Sequence, residues 1–242
     1  MKKEKVVLGM SGGVDSSVSL ILLKKQGYQP VGLFLCYWHW PSPKNLLREN
    51  VCCSAESLKI VELVCKKYKV PYHILNCSPE FKDRVVGYFL DLISKNKTPN
   101  PCLICNRFLK FEKLIDFADK IGAKFVATGH YAKVSKNKKT GKYELLRPKD
   151  KKKDQTYFLA YLRQKHLRRI IFPLSDITKD QVFKIAREEN LSFFKKRKQS
   201  QDLCFVSNRS LRAFLEEKFG LRKGEIRNLK GEILGYHQGL HF

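Results

Sequence analysis

The chain has 242 residues, 48 Lys plus Arg against 23 Asp plus Glu, and a formal charge of +25. Hydrophobic residues at 43% and aromatics at 12% exclude a disordered basic tail and predict a packed core. The most apolar stretch, Val31 to Trp40, is about half of the ~20 residues needed to cross a bilayer, so no membrane span is expected.

The elements follow in chain order. Lys5 to Met10 has the pattern of a short buried strand, a Ser/Gly/Asp turn follows, and Val18 to Gln26 suits a helix closed by Gly27. Val31 to Leu35 reads as a second strand and Trp38 to Asn50 as a loop holding two prolines. Ser54 caps a helix through Lys67, Tyr72 to Leu75 is a third strand, and Pro79 opens a helix to about Ser94. After the loop Lys95 to Pro101, Cys102 to Ile121 has helical periodicity, and Phe125 to Thr128 is a strand. Tyr131 to Ser135 and Tyr143 to Arg147 form a hairpin around Asn137 to Lys142. Thr178 caps a helix to Asn190, Ser210 to Phe219 is another, and the glycine-rich tail after Gly220 has short β-like runs. The alternation predicts an α/β fold, a parallel sheet covered by helices. Residues 1–219 are expected to form one domain and 220–242 the start of a small β-containing one.

The most informative string is SGGVDSS, Ser11 to Ser17, between a strand and a helix. Gly12 and Gly13 let backbone N–H groups converge, the serines add hydroxyls, and the helix N-terminus adds partial positive charge, which together suit a polyphosphate. It is neither G-x-x-x-x-G-K-[ST] nor G-x-G-x-x-G. Asp15 would repel a bare phosphate, which implies magnesium or a hydrogen-bonding role. The string resembles the PP-loop of the ATP pyrophosphatases, a Rossmann-like adenine-nucleotide-binding fold. That resemblance implies that Gly9, Met10, Ser11, Gly12, Gly13, Val14, Asp15 and Ser16 contact ATP, with Leu35 against the adenine and Gly129 approaching from another strand end. Ligands at the carboxyl ends of parallel strands fit this placement.

Eight cysteines without a secretory signal read as thiols or metal ligands rather than a disulfide framework. Asn100-Pro101-Cys102-Leu103-Ile104-Cys105-Asn106 puts two thiols on one face of a helix start, with Asn100 as cap and Pro101 as first helical residue. The helix N-terminus, Arg107 and Lys110 favour thiolate there. Cys204, in SQDLCF, joins them only through folding. By itself C-x-x-C fits a redox pair, half a zinc site, cluster ligands or core thiols. Cys36, Cys65 and Cys77 read as small hydrophobes, and Cys52-Cys53 as packing at a helix entry.

Together with SGGVDSS, the ordered strings TPNPCLICN, ATGHYAK, KDQTYFL and SQDLCF resemble the bacterial-type tRNA 2-thiouridylases along essentially the whole chain. The resemblance implies an ATP-dependent sulfurtransferase that adenylates C2 of the wobble uridine in tRNAs for Lys, Glu and Gln, and replaces its oxygen with sulfur. It implies Cys105 as nucleophile and Cys204 as persulfide carrier, with release through a disulfide between them. Cys102 stands where the family commonly has Asp. It either replaces that carboxylate or joins Cys105 and Cys204 as ligands of an iron-sulfur cluster. The implied partners are ATP, Mg2+, tRNA and a cysteine desulfurase or sulfur-relay protein. A cytoplasmic monomer is expected, with no membrane partner.

The same resemblance makes Asn100, Pro101 and Cys102 the lining of the target base, and His130, Lys153, Asp154 and Gln155 tRNA contacts. The basic runs Lys136 to Lys142, Lys149 to Lys153 and Lys195 to Lys198, interleaved with Tyr131, Tyr143 and Tyr157, suit a phosphate-tracking surface. Other PP-loop adenylating tRNA-modifying enzymes, or an inactive tRNA-binding homologue, are the rival readings. Family members continue past the segment matching Gly235 to Phe242, so the chain is expected to be a fragment or a truncated member.

Overall fold

The computed structural model describes residues 3–46, 54–194 and 203–242. β1 (Lys5–Met10) leads through the Ser/Gly loop into α1 (Val14–Lys25), then β2 (Gln29–Cys36), α2 (Ala55–Lys67) and β3 (Tyr72–Asn76). α3 (Ser78–Phe81) and α4 (Gly87–Ser94) are joined by a π-turn over Lys82–Val86. α5 (Pro101–Cys105) and α6 (Phe111–Lys120) are joined the same way over Asn106–Lys110. There follow β4 (Phe125–Thr128), the hairpin β5 (Lys133–Lys136) and β6 (Tyr143–Leu146), two 3-10 turns, α7 (Gln164–Leu167), β7 (Ile170–Ile171) and α8 (Lys179–Glu188). α9 (Leu211–Phe219), β8 (Gly224–Arg227) and β9 (Ile233–His237) end the chain.

Five strands form one parallel sheet in the order β3-β2-β1-β4-β7, as the alternation predicts. Both faces are covered, and β1 shows why: Val7 points into one core with Leu33, Phe111 and Phe205, while Val6 and Leu8 point into the other with α1 and α2 side chains. A strand buried on both sides has no polar alternation to display. From β1 the chain winds toward β2 on one side and returns to β4 on the other, so a crevice opens at the carboxyl ends of β1 and β4.

Three expectations change. α1 begins at Val14 rather than Val18, because its first turn carries Asp15, Ser16 and Ser17, which an apolar-periodicity reading discounts. The helices read as continuous over 79–94 and 102–121 are each interrupted by a π-turn. β7, two residues long, is too short for any pattern to announce. Ser54 and Thr178 do cap α2 and α8, and Asn100 caps α5. β8 and β9 pair with each other as a separate sheet beyond Gly220, whose φ of +68° turns the chain out of α9. Among the described residues no helix is long and apolar enough to cross a membrane.

Candidate active site

The Ser/Gly loop sits in the crevice between β1 and β4. Gly12 has φ +70°, and a Cβ there would lie 2.4 Å from the Ser57 carbonyl oxygen, so only glycine fits. The hydroxyls of Ser16 and Ser17 each donate to the Gly13 carbonyl at 3.0 Å, and the Ser11 N–H donates to Ser16 Oγ at 3.3 Å. These bonds fold the loop over the N-terminus of α1, where the unpaired backbone donors of a first helical turn lie. Gly129, just past β4, comes so close that a Cβ would meet the Ser16 nitrogen at 2.8 Å. The cleft so formed, about 310 Å3, is lined by Gly9, Met10, Ser11, Asp15, Ser16, Leu35 and Gly129 among others.

Asp15 does not face this cleft as a bare carboxylate. Lys179, at the first position of α8 and almost fully buried, reaches both of its oxygens at 2.7 Å, and the Tyr131 hydroxyl donates to it at 2.9 Å. Burial and the Asp15 charge push the Tyr131 hydroxyl far above the usual tyrosine range, so it stays a donor. Asp15 thus has the hydrogen-bonding role that was one of its two alternatives, and the Lys179 ammonium offsets its charge. Sequence offered no sign of Lys179, which lies 164 positions away.

A second cavity of about 200 Å3 adjoins the first and is lined by Cys102, Cys105 and Cys204 with Pro101, Phe158 and Phe205 among its other walls. α5 carries the first two thiols: Asn100 Oδ1 accepts from the Leu103 N–H at 3.4 Å, fixing the helix start. Cys102 is exposed at the rim and Cys105 is buried. Cys204 arrives with Phe205, whose ring is buried against Phe81, Phe89 and Phe214 and whose carbonyl accepts from the Trp40 N–H at 2.9 Å. A single core aromatic therefore anchors the distant thiol beside the pair.

Tyr37, Lys110, His130 and Gln155 line both cavities. The π-turn after α5 places Lys110 at this junction; ordinary helical spacing from Cys105 would turn it aside. His130 Nδ1 is 2.7 Å from Thr128 Oγ1, and its ring stacks on Phe111. Burial, with the Lys110 charge second, holds His130 well below the usual histidine range, so it is neutral. Gln155 is fixed by accepting from the Tyr131 N–H at 2.9 Å.

A family model described as the tRNA methyl transferase HUP domain matches residues 4–208. The chain belongs to this family. It is 43% identical over 242 residues to a tRNA-specific 2-thiouridylase of Geobacillus kaustophilus, covering 100% of this chain and 63% of that protein. A tRNA-specific 2-thiouridylase of Staphylococcus saprophyticus is 43% identical over 241 residues, with 100% and 63% covered. One from Pelotomaculum thermopropionicum is 40% identical over 243 residues, with 100% and 66% covered. The chain thus spans about two thirds or less of the length of these relatives. Among solved structures, a 4-thiouridine synthetase–RNA complex with bound ATP shares the fold, with a TM-score of 0.50 at 18% identity, covering 89% of this chain and 50% of that one.

Within this HUP-domain family member, the cleft gathers Gly9, Met10, Ser11, Asp15, Ser16, Leu35 and Gly129 from the nucleotide set. Gly12, Gly13 and Val14 shape the loop from behind it. Pro101, Cys102, His130 and Gln155 line the thiol cavity. Asn100 is the cap read from the sequence, and Asp154 is held by local bonds. Asp154 accepts from the Thr156 N–H at 3.0 Å and hydroxyl at 2.6 Å, and pairs with Arg147. Burial alone would raise its carboxyl, but these bonds outweigh it and hold the pKa below the usual range. Lys153 ends a 3-10 turn outside both cavities. Arg107, expected beside the thiols, is buried and paired with Glu112 instead.

Of the cysteines read as small hydrophobes, Cys36 is only partly buried. Cys65 and Cys77 are fully buried, and burial pushes each up to about 11. Cys52, Cys53, Ser200 to Asp202 and the Lys195 to Lys198 run lie outside the described residues. Of the interleaved tyrosines, Tyr131 is buried against Asp15 and only Tyr157 is strongly exposed, at 64%. Among the described residues no three His, Cys, Asp or Glu side chains come together as a metal-ligand set.

Proposed function

We propose that the chain is the nucleotide-binding and catalytic part of an ATP-dependent tRNA sulfurtransferase that makes 2-thiouridine at the wobble position of tRNAs for Lys, Glu and Gln. The observation that carries this is the common wall: one side of Tyr37, Lys110, His130 and Gln155 faces a nucleotide-sized cleft and the other faces three thiols. A carbon activated in the first cavity is within reach of sulfur in the second. The curated relatives are themselves named tRNA-specific 2-thiouridylases.

Adenylation is needed because a pyrimidine carbonyl oxygen is a poor leaving group. ATP enters as its magnesium complex, the metal travelling with the phosphates. Uridine O2 attacks the α-phosphorus and pyrophosphate departs, stabilised by the α1 N-terminus and the Lys110 ammonium. A persulfide on Cys204, loaded by a cysteine desulfurase or relay protein, presents its terminal sulfur to C2. The C–S bond forms and the C2–O bond breaks, releasing AMP. The Cys105 thiolate then attacks Cys204 Sγ, and the persulfide S–S bond breaks toward the base. 2-Thiouridine and a Cys105–Cys204 disulfide result, and a thiol reductant restores both cysteines. Cys102, at the rim, lines the entry of the base, and neutral His130 is the proton acceptor at the junction. No step runs through a cluster.

The +25 charge then serves tRNA binding, with Lys153 among the backbone contacts. Residues 1–219 form the catalytic unit and 220–242 a separate small β unit, working as a monomer in the cytoplasm. The test supplies ATP, a persulfide donor and unmodified tRNA, with nucleosides read by mass spectrometry. ATP-dependent 2-thiouridine at the wobble position is expected; sulfur at another tRNA position would assign the chain to a different PP-loop thiolase.

A further inference from the structure

The 3-10 turn Thr156–Leu159 carries two aromatic rings, one of them in the wall of the thiol cavity. Phe158 forms part of the cavity wall, and Tyr157 stands outside it, 64% exposed, with the ring centroids 5.7 Å apart at 70°. Tyr157 and Phe158 thus present two adjacent rings to solvent, one of them in the wall of the cavity. The turn beneath is firmly held: Leu159 is buried, Asp154 caps the start through Thr156, and Asn106 Nδ2, one residue from Cys105, donates to the Phe158 carbonyl at 3.1 Å. Immediately upstream lies the Lys151–Lys153 turn, three consecutive cations.

We infer that Tyr157 and Phe158 form a stacking step for single-stranded RNA, Phe158 against the base that enters the thiol cavity and Tyr157 under a neighbouring base of the same loop. The inference rests on the tRNA reading above. Charge complementarity selects the occupant: an aromatic step beside a lysine run offers a π-face and cations together, which fits unstacked nucleobases on a phosphate backbone. A protein partner, such as a sulfur donor, would be the other occupant and is separated by the test.

The experiment measures equilibrium binding of unmodified tRNA by the whole chain, over a series of salt concentrations, for wild type, Tyr157→Ala, Tyr157→Phe and Lys152→Ala. ATP binding reports the integrity of the fold. Tyr157→Ala should weaken tRNA binding about tenfold at every salt concentration, without changing the salt slope or ATP binding. Tyr157→Phe should keep wild-type affinity, since stacking needs the ring and not the hydroxyl. Lys152→Ala should instead lower the salt slope by about one. Unchanged tRNA binding by Tyr157→Ala, or a tRNA loss matched by Tyr157→Phe, overturns the stacking step, as does unchanged tRNA affinity alongside weakened association with a persulfide-donor protein. A wild-type chain that binds ATP but no tRNA contradicts the tRNA reading itself.

Discussion

The nucleotide cleft and the thiol cavity share a wall yet are built in opposite ways. The cleft is mostly local: seven consecutive residues, Ser11 to Ser17, fold largely on their own hydroxyls, with Ser57, Gly129, Tyr131 and the Lys179 cation reaching them from afar. The thiol cavity is assembled: α5, the π-turn behind it, the Thr156–Leu159 turn and the Cys204 segment each supply part of its wall, the last held by Phe205 in the core. A local site tolerates loosening of the fold but not a change in its own backbone; an assembled site is the reverse.

The largest effect that would separate the two comes from Gly129→Ala. The added methyl would meet the Ser16 nitrogen at 2.8 Å, and a backbone atom cannot swing aside. ATP binding should be lost, while tRNA binding and access of alkylating reagents to Cys102 persist. Loss of both together would mean that the cleft and the thiol cavity fold as one unit.

Lys179→Met should have a smaller effect. It leaves the partly buried Asp15 carboxylate with only the Tyr131 hydroxyl, at a cost of roughly 2 kcal/mol in unfolding free energy. The bared negative charge should also weaken ATP binding. Unaltered affinity in this variant would show that the ion pair does not screen the phosphates.

The smallest effect sharpens the contrast among thiols. Cys65 and Cys77 have folded-state values of about 11 against 9.0 unfolded, so the folded state holds their protons more tightly. That contribution to stability is fully present below about pH 9 and is lost as pH rises toward 11, which denaturant unfolding at a series of pH values would measure. At pH 8 iodoacetamide should modify exposed Cys102 first and leave Cys65 and Cys77 untouched until the chain unfolds.

Legibility in the sequence follows the same division. The parallel sheet, the loop and the Asn100, Ser54 and Thr178 caps were readable because each depends on neighbours in the chain. The gathering of Cys204 with Cys102 and Cys105 came from resemblance to a family; no spacing rule places residues about a hundred apart. Lys179 and Tyr131 around Asp15 were invisible, and Lys110, legible as a cation near the thiols, was not legible as a wall of both cavities. An ion pair across 164 positions has no local signature, and a π-turn breaks the helical spacing that would have predicted where Lys110 points. The bonds of Asp154 to Thr156 were not legible either, because a capping carboxylate and a ligand-facing one look alike in a KDQ string.

The central claim is that activation occurs in one cavity and sulfur delivery in the other. It is tested most directly by following pyrophosphate release and labelled-sulfur incorporation in parallel, with unmodified tRNA, ATP and a persulfide donor, in Cys105→Ser and Cys204→Ser. Both variants should still release pyrophosphate in a tRNA-dependent manner and incorporate no sulfur. Sulfur incorporation at the wild-type level in both would contradict the account.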